Sequence, residues 1–227
     1  YDPLTPPGKP QDRMDFYYYS GIYRDVRMEI TERIYITDPL QEDIVAGGGQ
    51  FVTYPEVSKE RAMVHVATHI RNLTEEEAAL SVRTLLKDST GVIVTENEMP
   101  FELQAQSDGT LEQNMQVEFP ALWHPYAPHL YTLETQLLAD GKLLDRTERA
   151  IGIRTIRYTA EAGFFINGEQ LYLRGANRHQ AFPHIGDAAS NSMQVRDVID
   201  LKRGGYNAVR AAHYPSDPAF LEACDRY

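Results

Sequence analysis

Apolar side chains recur at every second position through much of the chain, the spacing that places successive residues on opposite faces of a β-strand. Val64, Val66, Thr68 and Ile70 share one face, and Leu80, Val82, Thr84 and Leu86 share a second. Met99, Phe101 and Leu103 form a third, Met115, Val117 and Phe119 a fourth, and Tyr131, Leu133, Thr135 and Leu137 a fifth. Turn-forming residues separate these runs at Asn72, at 88–91, at Ser107-Asp108-Gly109 and at Asp140-Gly141. Asn, Asp and Gly there supply the positive-φ positions of tight turns. About seven short strands at this spacing predict an antiparallel, immunoglobulin-like β-sandwich over residues 33–157.

From residue 158 the period changes. Leu171 to Asn177 reads as a strand, and an amphipathic helix follows, capped by Asn191, running through Val195, Val198, Ile199 and Lys202 and ending at Gly204-Gly205. Asn207 to His213 reads as a second strand. Asp217 then caps a second helix, with Pro218 at the first helical position, where its missing N–H costs nothing. The order β-α-β-α predicts the incomplete opening of a (β/α)8 barrel, roughly a quarter of a domain of ~250 residues. The fold class expected is therefore mainly β: a sandwich followed by a truncated barrel. Ahead of both, Pro3, Pro6, Pro7 and Pro10 make residues 1–15 an irregular lead-in. An aromatic run from Phe16 to Val26 then reads as a strand.

Composition narrows the functions open to such a chain. With 22 basic and 33 acidic residues among 227, the net charge of -11 leaves nothing to neutralise a polyphosphate, which argues against nucleic acid. Cys224 is the only cysteine, so no intrachain disulfide forms, and its spacing from Phe220 and Leu221 puts it on a buried helix face as a small hydrophobe. No apolar run is long enough to cross a bilayer and no signal peptide is legible, so a soluble protein of cytoplasm or periplasm, excised at both ends, is expected.

The stretch Asn207 to Tyr227, NAVRAAHYPSDPAFLEACDRY, resembles the first signature of glycoside hydrolase family 2 at Asn207, Arg210, Ala211, Ala212, His213, Tyr214, Pro215 and Asp225. Asn167 to His179 resembles the first barrel strand of the β-galactosidases of that family, and Leu122 to Tyr131 resembles an element of its central sandwich. Phe16 to Val26 resembles the closing strand of its sugar-binding jelly-roll domain, which places residues 1–32 at the end of that domain. The resemblance implies a retaining exo-β-glycosidase. β-Galactosidase comes first, because Asn177-Arg178-His179 carries Arg where the glucuronidase branch commonly has Lys; β-glucuronidase and β-mannosidase are the alternatives. Gln180 departs from the Glu common in those galactosidases. The resemblance further implies that His179 and His213 contact sugar hydroxyls and that Arg210 supports the catalytic carboxylates. The acid/base and nucleophile glutamates are expected outside this chain, which would then be inactive by itself.

The residue types suit those roles. Asn177 and His179 are two apart, so an extended backbone points both to one side. Neutral His and Asn each donate and accept, as sugar hydroxyls do. Arg keeps its charge and forks onto a carboxylate. Other constellations read blandly. His65 and His69 lie on a solvated strand face without the helical spacing of a zinc pair, and Gly47-Gly48-Gly49 is a flexible turn with no phosphate-loop Lys after it. His179, His184 and His213 lack a Cys or carboxylate at ligand spacing, so neither metal nor cofactor is expected. A stand-alone carbohydrate-binding sandwich is the competing class of function, and the barrel opening from about Tyr158 has no use in it. Unpaired barrel strands also predict a partner surface, either a homo-oligomer contact or packing on the sandwich.

Overall fold

The computed structural model describes residues 21–227. The chain divides into two compact units, one of Glu29–Leu171 and one in which 172–227 join the segment that ends at Met28. In the larger unit the alternating runs become strands β1 (Ile34–Ile36), β2 (Gln50–Val57), β3 (Arg61–Asn72), β4 (Ala78–Lys87), β5 (Ile93–Leu103), β6 (Ser107–Glu118), β7 (Tyr131–Ala139) and β8 (Lys142–Ile151). One sheet has β3 at its centre, with β6 along one side and β1 and β2 sharing the other. The second runs β5-β4-β7-β8, and every pair in both sheets is antiparallel. A three-stranded meander of β9 (Ile156–Thr159), β10 (Gly163–Ile166) and β11 (Glu169–Gln170) follows.

The inward faces carry one polar residue at the same level on strand after strand. Along β3, Ala62, Val64 and Val66 belong to one apolar cluster and Ile70 to another, with Thr68 between them. Leu86 and Val82 flank Thr84 on β4, Met115 and Leu111 flank Gln113 on β6, and Leu133 and Leu137 flank Thr135 on β7 in the same way. A buried polar group costs ~1–3 kcal/mol if left alone, and this layer is linked across the sheets. Gln50 Nε2 donates to Thr135 Oγ1 at 2.5 Å, Thr135 and Thr84 share a hydroxyl contact of 2.9 Å, and Thr84 Oγ1 donates to Gln113 Oε1 at 2.7 Å. Gln113 Nε2 returns to the Val82 and Asn97 carbonyls, whereas Gln50 Oε1 and the Thr68 hydroxyl stay unmatched. A polar seam thus divides the sandwich core into two apolar halves.

Asn72 ends β3 as a buried anchor. Its Nδ2 donates to the carbonyls of Glu76, Leu103 and Gln104, and its Oδ1 accepts from the backbone N–H and the hydroxyl of Thr74. The next turn is not at Ser107-Asp108-Gly109, which lies within β6; Gln106 takes the positive φ of 51° one residue earlier. Phe119 falls just outside β6 at φ 46° and is exposed, so it does not continue the Met115/Val117 face. The Asp140-Gly141 hairpin forms as expected, with φ of 48° and 74°.

His69 is buried, contrary to a solvated strand face, while His65 keeps partial exposure. Residues 37–49 cover the outer surface of the sheet at that point. Thr37 Oγ1 lies 2.9 Å from His69 Nδ1, the Thr37 N–H donates to the His69 carbonyl at 3.0 Å, and Arg71 is bidentate to Glu42 of the short helix α1 (Pro39–Glu42). The glycine triplet is a close-packed corner: a Cβ on Gly49 would sit 2.9 Å from the Thr37 carbonyl oxygen, and the Gly49 N–H donates to Thr37 Oγ1.

The smaller unit holds β12 (Gly175–Arg178), α2 (Asn191–Arg203), β13 (Ala208–Ala211) and α3 (Pro218–Arg226), with β12 and β13 parallel. Both strands are shorter than the apolar runs predict, 171–174 lying outside β12. Ser190, not Asn191, occupies the N-cap of α2, and Asn191 is the first helical residue. Asp217 caps α3 by accepting from the Ala219 N–H at 2.9 Å, as its sequence predicts. Phe220, Ala223 and Val198 form the helical core, with Cys224 against it and its thiol pushed up to about 11 by burial. Leu221 is exposed and does not share that face. The predicted strand from Phe16 lies outside the described residues as far as 20, and 21–26 are not strand. Among the described residues no helix is long and apolar enough to cross a membrane.

Glu134 of β7 gives this fold a pH dependence. Lys87 on β4 and the Gln136 amide hold its carboxylate, which is 3% exposed, and the Lys87 hydrogen bond above all lowers its pKa to about 2 from the ordinary 4.5. A depressed carboxyl stabilises the fold fully above its unfolded pKa and loses that contribution as pH falls through the folded one. Urea unfolding of the wild type and of Glu134→Gln should therefore show a stability gap above pH 4.5 that closes toward pH 2. A gap independent of pH would contradict this role for Glu134.

Candidate functional site

The parallel pairing sets Asn177 opposite Arg210 and Arg178 opposite Ala211. Alternation along β12 then sorts the side chains. Arg178 and Gln180 are buried, whereas Asn177 and His179 are exposed on the other side. Arg178 enters the helical layer. Its Nη2 donates to Gln194 Oε1 at 2.6 Å and to Asp197 Oδ2 at 2.9 Å, and its guanidinium lies 4.2 Å from the Phe220 ring centroid. A charge so desolvated requires partners, and its carboxylate and amide both come from α2, while Nη1 stays buried and unmatched. The strand is thereby fastened in one rotational setting, with Asn177 and His179 turned away from the helices.

Asn207 does the equivalent work at the start of β13. Its Oδ1 accepts from the Arg174 N–H at 2.8 Å and its Nδ2 donates to the Tyr172 carbonyl at 3.0 Å, while its backbone N–H donates to the Arg174 carbonyl. The side chain extends the ladder below the paired strands and fixes their register. At the other end the Ala212 N–H donates to the Arg178 carbonyl at 3.1 Å, carrying the pairing up to His213.

All the sequence-predicted site residues meet at these C-terminal ends. Arg210 Nη1 donates to Asn177 Oδ1 at 3.5 Å. The His179 and His213 rings stand edge to face with centroids 5.4 Å apart, and the Ala212-His213 peptide is cis. The structure adds Tyr214, whose ring centroid is 6.2 Å from that of His179 and whose hydroxyl accepts from the Gln180 N–H at 3.1 Å. Nearby Asp187 has its carboxyl pushed up by burial, with the charge of Arg24 pulling it the other way. A cleft of about 560 Å³ in the same unit lies along Tyr23, Arg24, Asp25 and the start of α2, and none of Asn177, His179, Arg210 or His213 lines it. Among the described residues no cluster of three or more His, Cys, Asp or Glu could hold a metal ion. The arrangement is an exposed patch of donors and acceptors with a permanent cation beside it, able to orient a polyhydroxylated ligand and an adjoining carboxylate.

Comparison with known proteins places this geometry. The model of glycosyl hydrolases family 2 matches residues 49–154, and the model of the family 2 TIM barrel domain matches residues 158–227. The chain is 32% identical over 219 residues to a beta-galactosidase of Thermoanaerobacter pseudethanolicus, covering 93% of this chain and 26% of that protein. It is 31% identical over 214 residues to a beta-glucuronidase of Bacteroides fragilis, covering 94% and 30%. Among solved structures, a glycosyl hydrolase family 2 member from Bacteroides cellulosilyticus superposes with a TM-score of 0.86 at 31% identity, over 95% of this chain and 29% of that one. A beta-glucuronidase of Bacteroides uniformis gives 0.86 at 31% identity, over 96% and 26%. The chain thus spans about a quarter of the length of its curated relatives.

Because Arg178 fastens the strand that carries Asn177 and His179, Asp197→Ala should loosen β12 and α2 together. The expected loss is about 2 kcal/mol, below the ~3–5 kcal/mol of a fully buried pair, since the Asp197 side chain is 21% exposed. Hydrogen exchange should show it as lost protection of the 175–178 and 191–203 amides with the sandwich amides unaffected. Unchanged protection there would contradict the fastening.

Proposed function

The chain belongs to glycosyl hydrolase family 2, and from that membership we propose that it supplies the sandwich and the first two β/α units of a retaining exo-β-glycosidase. We assign residues 33–157 to the sandwich, 158–227 to the barrel and 1–32 to the end of a preceding sugar-binding domain. The observation that carries the reading is the convergence of Asn177, His179, Arg210 and His213 at the C-terminal ends of two parallel strands, the end at which barrel enzymes of this type build their sites. A binding sandwich alone would have no use for the β12-α2-β13 crossover.

In this reading His179, His213 and Asn177 hold sugar hydroxyls, and Arg210, already on Asn177 with one Nη, keeps its remaining N–H groups for a carboxylate. Retaining cleavage needs two carboxyl groups about 5–5.5 Å apart, one as acid/base and one as nucleophile. We place both outside residues 1–227. β-Galactosides are the first substrate class, with β-glucuronides and β-mannosides as alternatives. Relatives bearing the first two activities in their names support the class as a whole. Arg178, the sequence mark that favoured galactosides, faces the helices, so it bears on the sugar only through the setting of β12.

In the longer protein, His213→Ala should cost about 2–4 kcal/mol of transition-state stabilisation, the scale of one well-placed polar group. Steady-state kinetics on an aryl β-galactoside, beside a melting curve, checks this; unchanged kcat/KM with an unchanged melting temperature would refute the role. The 227-residue chain alone should release no chromophore from aryl β-galactoside, β-glucuronide or β-mannoside above background. Turnover that vanishes on mutating one of its own carboxylates would overturn our placement of the catalytic pair, and whichever glycoside the longer protein cleaves fixes the substrate class.

A further inference from the structure

Arg24 is remote from the strand ends in sequence and lies against both of them in space. Its Nη2 donates to Gln180 Oε1 at 3.3 Å and to the Pro215 carbonyl oxygen. Gln180 directly follows His179, and Pro215 comes two residues after His213. One guanidinium therefore joins the loop that leaves β12 to the loop that leaves β13, each just beyond its histidine. The neighbouring residue adds a third attachment: Asp25 Oδ2 accepts from Asn191 Nδ2 at 3.2 Å, at the first residue of α2. The Tyr23 ring centroid is 5.4 Å from the guanidinium carbon, on the same short segment.

The burial of this junction makes it specific. Gln180 is 2% exposed, its Nε2 has no hydrogen-bond partner, and Arg24 Nε is likewise buried and unmatched. Unmatched donors destabilise the fold, so the junction is not an optimised structural tie. It contributes placement instead. The Gln180 backbone is held from the other side by the Tyr214 hydroxyl, so the His179 loop is fixed by one bond to Arg24 and one to the residue after His213. Both bonds leave from the one Nη2, so a single nitrogen at the end of the Arg24 side chain spans a side-chain oxygen of one loop and a carbonyl oxygen of the other.

We propose that Arg24 is a positioning residue of this site, fixing the distance and angle between the His179 and His213 rings by bridging the two loops behind them. The inference rests on the reading that these histidines contact the sugar, and the two are tested separately. In the 227-residue chain the imidazole ¹H–¹³C resonances of His179 and His213 report ring placement directly. Arg24→Met should shift both sets, Tyr214→Phe should shift them less, and Arg27→Met, on the same segment, should leave them in place. Arg24→Gln, whose side chain is too short to reach both loops, supplies the reading if Arg24→Met does not fold. Both rings unmoved in a folded Arg24 variant would overturn the proposal. In the longer protein, Arg24→Met should lower kcat/KM for an aryl β-galactoside about tenfold, most of it in kcat, because misplaced donors weaken the transition state more than the ground state. Normal kinetics in Arg24→Met beside a disabled His213→Ala would also overturn it. Normal kinetics in both would remove the sugar-contact reading instead, and the ring resonances would then decide the placement alone.

Discussion

A guanidinium whose side chain is 8% exposed must find its partners where it lies, and Arg178 finds them in Gln194 and Asp197 of one helix and over the Phe220 ring of the next. That requirement orders the smaller unit. Once Arg178 is committed to the helices, the two-residue period of the strand sends Asn177 and His179 the opposite way, and parallel pairing brings Arg210 and His213 alongside them. The candidate site is the reverse side of a structural ion pair. Asn207 gives the same unit its register, by lending its amide as one more rung of the ladder.

Much of this was legible in the sequence because it rests on local period and on short motifs. The sandwich strands follow the alternation at Val64, Leu80, Met115 and Leu133, and the seam was visible as a threonine recurring in those runs at 68, 84 and 135. Its other members, Gln50 and Gln113, gave no such signal, since a lone glutamine in a strand is normally a solvated one. The turn before β6 was misplaced for a related reason. Ser107-Asp108-Gly109 has the stronger turn chemistry, but Asn72, thirty-odd residues earlier, binds the Leu103 and Gln104 carbonyls and fixes the corner ahead of it.

His69 shows the limit of periodicity more sharply. Alternation assigns a residue to a face but cannot say what covers that face, and residues 37–49 fold over the outer surface at this point. Arg24 was beyond reach for the same reason. The site histidines could be named from their motifs, while the residue joining the loops behind them lies more than 150 positions away and reads, in its own surroundings, as part of an aromatic strand.

The seam has a consequence for how the sandwich can drift in sequence. At Val64 or Leu133 the environment asks only for apolar volume, and neighbouring side chains can trade it among themselves. Thr84 has no such latitude. Its hydroxyl serves both Gln113 and Thr135, which lie on different sheets, so a change there must be answered at the same moment on a strand of the opposite sheet. The two apolar halves are thus free to wander separately, and the thin polar layer between them is the part of the domain that can change only in concert.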